Sequence, residues 1–165
     1  EYYPSKERSS EYREGLYVGY RYYTTVGKKV RFPFGFGLSY TTFTYRDLAV
    51  DQDGVTFKIK NTGDVTGTEI AQLYVGKESD SVFRPLRELK GFARVTLAPG
   101  EEKEVRILFD DKTFRFYDTR TDSWEVETGN YHRKQCGRNA ACGITCGKWN
   151  CHRGWLQQRK PAGIF

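Results

Sequence analysis

The sequence contains no methionine, and its first 131 residues contain neither cysteine nor histidine. The main part of the chain therefore cannot depend on a disulfide framework or on a cysteine zinc site. No apolar run approaches the roughly 20 residues that a membrane-spanning helix needs, and the N-terminus lacks the charged-then-apolar pattern of a targeting segment. We predict no membrane partner, and we expect a chain that does not open on methionine to be an internal fragment of a longer protein.

Acidic residues are absent from residues 132–165, called the tail below, whereas seven basic residues lie there. The preceding 131 residues carry 20 basic and 21 acidic side chains, a net charge of −1, so the tail supplies the whole formal charge of +6. Both histidines and all four cysteines also lie in the tail: His132, His152, Cys136, Cys142, Cys146 and Cys151. The basic charge and the cysteine count thus describe the tail and not the whole chain.

Three interpretations of the tail compete. The first is a zinc site or a disulfide framework. The cysteines follow the spacing C-x5-C-x3-C-x4-C, without the C-x2-C pair of structural zinc sites, and nothing else indicates a small fold held by disulfides. Positive charge beside Trp149 and Trp155 would suit nucleic acid, but no recognition motif accompanies it. We favour the third interpretation, a non-native or frame-shifted extension, and predict no metal, no cofactor and no nucleic-acid partner.

Between about residues 41 and 131, apolar residues alternate with polar ones in short runs separated by turns. Turn signals stand at NTGD (61–64) and APG (98–100), and no amphipathic helix separates the runs. A period of two with regular turns predicts an antiparallel β-sandwich of the immunoglobulin-like kind. The predicted core residues are Val55, Phe57, Ile59, Leu73, Val75, Val105, Ile107 and Trp124, with Phe92 and Leu97 contributing from an intervening strand.

The alternation fails after Tyr131. Positions 133 and 135 would share a strand face with Tyr131, and they are Arg133 and Gln135. Because burying an unpaired charge costs several kcal/mol, we expect the tail to be irregular and to make few core contacts.

The first 40 residues are rich in aromatic side chains. Residues 12–23 read as an aromatic, β-prone run, VGKK at 26–29 has turn composition, and FPFGFGLSY at 32–40 alternates rings with Gly and Pro. We interpret residues 32–40 as a structured loop that connects two domains.

Several of these motifs together resemble the C-terminal region of family 3 glycoside hydrolases of the β-glucosidase type. They are YREG (12–15), GYR (19–21) and FPFGFGLSYTTF (32–43), followed by NTG (61–63), GTE (67–69), QLYV (72–75), RPLRELKGF (84–92) and LAPGE (97–101). The later motifs resemble the fibronectin type III-like domain of that family. The resemblance extends from about Tyr12 to Tyr131.

The resemblance implies a division of the chain into three parts. Residues 1–40 would be the C-terminal end of an α/β sandwich domain with its connector, residues 41–131 the fibronectin III-like sandwich, and residues 132–165 the tail. In such enzymes the nucleophilic Asp and the acid/base Glu lie in earlier domains, so no catalytic residue is expected here. The fragment would be an inactive scaffold, whose partner is the remainder of a parent enzyme that hydrolyses terminal β-linked sugars without a metal.

The residues agree with that expectation. Retaining glycoside hydrolysis needs two carboxyl groups about 5 Å apart, one of them with a raised pKa, whereas pairs such as Glu101–Glu102 and Asp110–Asp111 are expected at solvated strand ends. Phe34 and Phe36 are weak candidates for stacking on a sugar, although packing of a domain joint explains them as well. The alternative function is a β-sandwich module that binds polysaccharide or protein.

Overall fold

The computed structural model describes residues 12–77, 82–136 and 144–151. Within these ranges the chain forms one short helix, and none that is long and apolar enough to cross a membrane. The elements are α1 Tyr20–Thr25, β1 Phe43–Val50, β2 Gly54–Asn61, β3 Gly67–Lys77, β4 Glu88–Leu97, β5 Glu102–Leu108, β6 Arg115–Asp118, β7 Ser123–Val126, β8 Gly129–Cys136 and β9 Ile144–Cys151.

The strands form two antiparallel sheets and a separate hairpin. One sheet has three strands in the order β1-β2-β5, and the other has four in the order β4-β3-β8-β9. Strands β6 and β7 pair with each other as the hairpin. Side chains from both sheets meet in one hydrophobic cluster, which confirms the predicted antiparallel β-sandwich.

The core contains most of the residues that the alternation predicts. Eight of the ten predicted core side chains are buried: Val55, Phe57, Ile59, Leu73, Val75, Leu97, Val105 and Ile107. On β2 and β5 these residues alternate with more exposed neighbours, as expected for a strand with one face toward the core. The turn signal at 61–64 begins on the last residue of β2, and that at 98–100 falls between β4 and β5.

The other two core predictions are wrong. Phe92 is 69% exposed and Trp124 is 62% exposed. Phe92 and Leu97 lie five positions apart on β4, so a regular strand turns them to opposite faces. The inward position beside Phe92 belongs to Gly91, where an added Cβ would lie 2.7 Å from Cγ2 of Ile107. Trp124 lies on the hairpin, outside both sheets.

Three aromatic side chains close one part of the core. The ring of Phe114 lies 5.1 Å from the rings of both Phe109 and Tyr131, at steep angles to each. The hydroxyl of Tyr131 donates a hydrogen bond of 2.7 Å to the backbone carbonyl of Glu127, as in the tyrosine corner of β-sandwich domains. Phe114 and Tyr131 are missing from the predicted core. Neither has a second core residue two positions away in the sequence, so no alternating run indicates that it is buried.

The expectation of an irregular tail is wrong where the structure describes it. Strand β8 continues through residue 136 along the edge of β3, and β9 then pairs with β8. Sheet pairing uses backbone N–H and C=O groups, so an exposed edge of β3 accepts a partner strand whatever its side chains are. The tail beyond these strands lies outside the described residues.

The β-prone run at the start of the chain is also corrected, since its last part is α1. The helix ends in a Schellman motif, in which the amide of Gly27 donates to the carbonyl of Thr24 and that of Lys28 to the carbonyl of Tyr23. Gly27 has φ of +66°, a conformation that glycine adopts without a steric penalty. The turn predicted at residues 26–29 is therefore the C-terminal cap of this helix.

Candidate functional site

The segment of residues 12–40, called the connector below, packs on the outer face of the four-stranded sheet. The ring of Tyr20 meets the ring of Tyr74 edge-on at 5.5 Å, and the ring of Phe34 lies 5.0 Å from the ring of Tyr20. Tyr74 and Gln72 alternate along β3 with the core residues, so they face away from the core. Both are nevertheless buried, at 2% and 8% exposure, because the connector covers them.

Hydroxyl groups of the helix satisfy backbone donors at the start of β4. The hydroxyl oxygen of Tyr20 accepts a 2.8 Å hydrogen bond from the amide of Leu89, and that of Thr25 accepts one of 3.0 Å from the amide of Leu86. The Thr25 hydroxyl also donates to the carbonyl of Arg21 at 2.6 Å. These bonds connect the helix to the segment that leads into β4.

Charged groups add contacts at the same place. The Nε of Arg21 lies 3.7 Å from Oε1 of Glu88. The guanidinium of Arg87 lies 4.9 Å from the centre of the Tyr74 ring, and its Nη2 donates to the hydroxyl of Thr24 at 3.4 Å. A cation over a desolvated ring is stabilised by the negative face of that ring.

A second aromatic contact lies near the start of the connector. The rings of Tyr17 and Phe83 stack with their centres 5.0 Å apart. Burial raises the pKa of Tyr17, and the negative charge of Glu88 raises it further. The Tyr17 hydroxyl is therefore neutral over the physiological pH range.

Gly35 allows the connector to approach the sheet closely. A Cβ at this position would lie 2.0 Å from Nε2 of Gln72, and its φ of +80° is unfavourable for any residue with a side chain. Gly35 thus has two independent reasons to be glycine: the backbone conformation and the space that Gln72 occupies.

Many large apolar side chains of the connector are exposed. Its large hydrophobic side chains with at least 37% exposure are Tyr12, Leu16, Val18, Tyr22, Tyr23, Val26, Val30, Phe32, Phe34, Phe36, Leu38 and Tyr40. This group is called the outer connector face below. Its size distinguishes it from single exposed hydrophobic residues, which are normal on any protein surface.

Phe34 and Phe36, the two candidates for sugar stacking, both belong to this face. Phe34 contacts Tyr20, and the ring of Phe36 lies 5.0 Å from the ring of Phe32. They are 53% and 43% exposed. Each ring thus already contacts another ring within the connector, and a role in sugar binding stays a prediction.

Carboxyl groups of the sandwich have environments that favour the ionised form. Hydrogen bonds are the main cause of a lowered pKa at Asp47, Asp51, Glu101, Glu102 and Asp118. Among the described residues every carboxyl group with a resolved pKa shift is shifted down. A general acid of glycoside hydrolysis needs the opposite shift, so these five groups suit accepting hydrogen bonds rather than donating a proton.

The pair at residues 110 and 111 is part of a turn. Asp110 accepts hydrogen bonds from the amide of Lys112 and the hydroxyl of Thr113, at 3.0 and 2.7 Å, and Asp111 forms an ion pair of 3.1 Å with Arg115. Both aspartates are exposed, as predicted. In the part of the chain that the structure describes, no three His, Cys, Asp or Glu side chains are grouped so that they could hold a metal ion.

The sequence motifs indicate the connector but not the residues that fix it to the sheet. Tyr20 lies within the GYR motif at 19–21, and Gly35 within the motif at 32–43. The available sequence signals were Gly19 and Gly27, which indicate where a helix starts and ends. The contact between Gly35 and Gln72 joins positions 37 apart in sequence, and no local pattern predicts it.

Comparison with known proteins agrees with this arrangement. Residues 69–133 match the family model of the fibronectin type III-like domain. Thermostable beta-glucosidase B of Acetivibrio thermocellus is 47% identical over 137 residues, covering 78% of this chain and 18% of that protein. An exo-alpha-(1->6)-L-arabinopyranosidase of Bifidobacterium breve is 44% identical over 133 residues, with the same two coverages.

A solved structure extends the likeness to the fold. The GH3 beta-glucosidase of Bifidobacterium adolescentis has a TM-score of 0.79 and 35% identity, covering 91% of this chain and 23% of that one. The chain thus spans less than a quarter of the length of these relatives. It corresponds to the C-terminal region of the β-glucosidase type of family 3 glycoside hydrolases, and it contains the fibronectin type III-like domain of that family.

Proposed function

We propose that the chain is a non-catalytic structural part of a family 3 glycoside hydrolase. The observation that carries the proposal lies in the connector. Tyr20, Thr25 and Gly35 contact the sandwich, whereas the large apolar side chains of the outer connector face are exposed. An apolar surface of this extent marks a protein interface, and the barrel and α/β sandwich domains of the parent enzyme are the partner that fits it.

A scaffold of this kind would affect catalysis by holding the catalytic groups of the parent enzyme at a fixed distance. The two carboxyl groups of a retaining glycosidase work at about 5 Å from each other, and small displacements of catalytic groups are costly. A sandwich that holds the α/β domain against the barrel would keep that distance constant. Residues 1–40 would then belong to the α/β domain and its connector, and residues 41–131 would form the fibronectin III-like domain.

The parent enzyme is proposed to hydrolyse terminal β-linked sugars, with the sugar bound by the parent and not by the connector. The names of the relatives support a glycosidase of the β-glucosidase type. This segment also matches an arabinopyranosidase about as well. That similarity supports a structural role, because a segment that selected the sugar would differ more between the two.

Association with the missing domains tests the proposal. The Acetivibrio thermocellus enzyme is truncated before the segment that matches this chain, and the truncated enzyme is mixed with this chain. We expect co-elution on size exclusion and recovery of activity on an aryl β-glucoside. Replacing two residues of the outer connector face, Phe32→Ser with Leu38→Ser, should weaken association at least tenfold.

The matched control is Leu108→Ser. Leu108 is 64% exposed on β5, in the three-stranded sheet, away from the connector, and its replacement should leave association unchanged. Failure of the wild-type chain to associate, or equal association of the double variant, contradicts the scaffold role.

A further inference from the structure

The β6–β7 hairpin carries two aromatic side chains that neither sheet buries. Tyr117 and Trp124 stand directly opposite each other in the hairpin register. Their rings lie 5.5 Å apart at 70°, and the side chains are 45% and 62% exposed. The pair thus forms a corner of two rings, called the hairpin platform below, rather than a flat stack.

Polar groups stand beside the hairpin platform in fixed positions. The hydroxyl of Tyr117 donates a hydrogen bond to the carboxylate of the exposed Asp122. An ionised carboxylate has about four acceptor positions, so this bond uses only part of its capacity. Asp118 fixes the turn by accepting from the amide of Arg120 at 2.9 Å and from Nη2 of its guanidinium at 2.8 Å.

The aromatic surface continues past Tyr117 in one direction. Phe83, which is 81% exposed and stacks on Tyr17 of the connector, lines a shallow hollow with Phe116, Tyr117 and Arg120. Rings of this size bury up to about 250 Å² each, so Phe83, Tyr117 and Trp124 together expose roughly 400 Å². A stable protein interface covers about 800 Å² per partner. The surface is therefore too small for a domain interface, and its area suits a few units of a polymer chain.

The charges at its border also restrict the occupant. The hairpin residues 115–126 carry Arg115 and Arg120 against Asp118, Asp122 and Glu125, a net charge of −1. Nothing here selects an anionic partner such as nucleic acid. A pyranose ring has an apolar face that packs on aromatic rings and hydroxyl groups at its edge that bond to carboxylates.

We propose that the hairpin platform binds a neutral polysaccharide, with a pyranose ring on Trp124 and its hydroxyl groups bonded to Asp122. This site goes beyond the scaffold role and does not depend on it. It lies on a hairpin outside both sheets, whereas the scaffold role uses the connector. In a whole enzyme, such a site would hold a polymer close to the enzyme without taking part in bond cleavage.

Native affinity electrophoresis of the full chain tests the proposal. The chain has a formal charge of +6, so it is run toward the cathode in gels with and without hydroxyethylcellulose, mixed-linkage β-glucan or xylan. We expect at least one of these polysaccharides to retard the wild type. Trp124→Ala should raise the apparent dissociation constant at least tenfold, and Trp124→Phe should recover part of the loss.

Control variants separate the platform from other exposed rings. Tyr40→Ala and Phe34→Ala remove exposed rings of the connector and should retain binding, and circular dichroism with urea unfolding confirms that each variant is folded. Three results would overturn the proposal: no retardation by any of the three polysaccharides, equal retardation of Trp124→Ala, or loss on Phe34→Ala. Concentration-dependent self-association of the chain that Trp124→Ala abolishes would also overturn it, since the surface would then be a protein interface.

Discussion

At the residue scale, the buried side chain of Asn61 joins three parts of the sandwich. Its Oδ1 accepts hydrogen bonds from the hydroxyl of Thr41 at 2.5 Å and the amide of Gly63 at 3.0 Å. Its Nδ2 donates to the carbonyls of Val65 at 2.8 Å and Leu97 at 3.0 Å. The amide group thus uses both donors and both acceptor positions on partners within the protein, which makes it sensitive to substitution.

Replacing Asn61 by Ala should lower the free energy of unfolding by about 2–4 kcal/mol. The variant leaves buried backbone groups without partners, each at a cost of about 1–3 kcal/mol. Urea unfolding followed by circular dichroism measures the change. The neighbouring Thr62→Ala removes an exposed hydroxyl, and it should change stability by less than about 1 kcal/mol. Similar effects of the two variants would show that Asn61 is not the junction described here.

Two phenylalanines allow a matched comparison of buried and exposed positions. Phe57 is 1% exposed and Phe92 is 69% exposed, although the sequence predicts both for the core. Phe57→Ala should cost about 3–5 kcal/mol, whereas Phe92→Ala should cost less than about 1 kcal/mol. Equal costs in urea unfolding would contradict the register of β4, which turns Phe92 outward.

At the element scale, the connector shows how packing overrides local preference. Residues 20–23 have the aromatic composition of a strand, yet they form α1 because glycines flank the helix and Tyr20 packs on the sheet. The strands of the sandwich behave differently. Each has one face on a common core, so the alternation of β2 and β5 is sufficient to predict them.

Replacing Gly35 by Ala should detach the connector while leaving the sandwich folded. The added Cβ would overlap the side chain of Gln72, and a φ of +80° would be strained. We expect hydrogen exchange at the amides of Leu86 and Leu89 to become at least tenfold faster, because their acceptors lie on α1. Exchange in β2 and β5 should stay slow.

Gly15→Ala is the control for this experiment. Its φ is +55°, but an added Cβ would meet nothing within 4 Å. This variant introduces the backbone strain without the overlap, so it should leave the two amides protected. Fast exchange in both variants would mean that backbone strain alone loosens the connector.

At the scale of the whole molecule, the sequence predicts the sandwich better than its surroundings. The strands and most of the core follow from short periodic runs. The connector depends on contacts between distant positions, such as Gly35 with Gln72 and Tyr20 with Leu89. The hairpin carries Trp124 outside the core because β6 and β7 pair with each other and with neither sheet. No local sequence pattern shows which strands pair with each other to form a sheet.

A non-native origin of the tail stays a prediction, although part of the tail forms strands. The register of β8 on β3 sets Arg133 opposite Val75 and Gln135 opposite Leu73, two core residues. Opposite residues share a face of the sheet, so positions 133 and 135 lie on the core face. We propose that residues 132–165 are frame-shifted. One other reading frame of the coding DNA should then place apolar residues at these two positions, and their absence from both frames would contradict the proposal.

The central claim is that this chain supports a glycosidase without itself being one. The most direct test is hydrolysis of an aryl β-glucoside by the purified full chain, compared with a buffer blank over several hours. The proposal predicts no hydrolysis above the blank, since retaining hydrolysis needs a protonated and an ionised carboxyl group about 5 Å apart. Turnover that persists through purification and disappears when one Asp or Glu of this chain is replaced would contradict it.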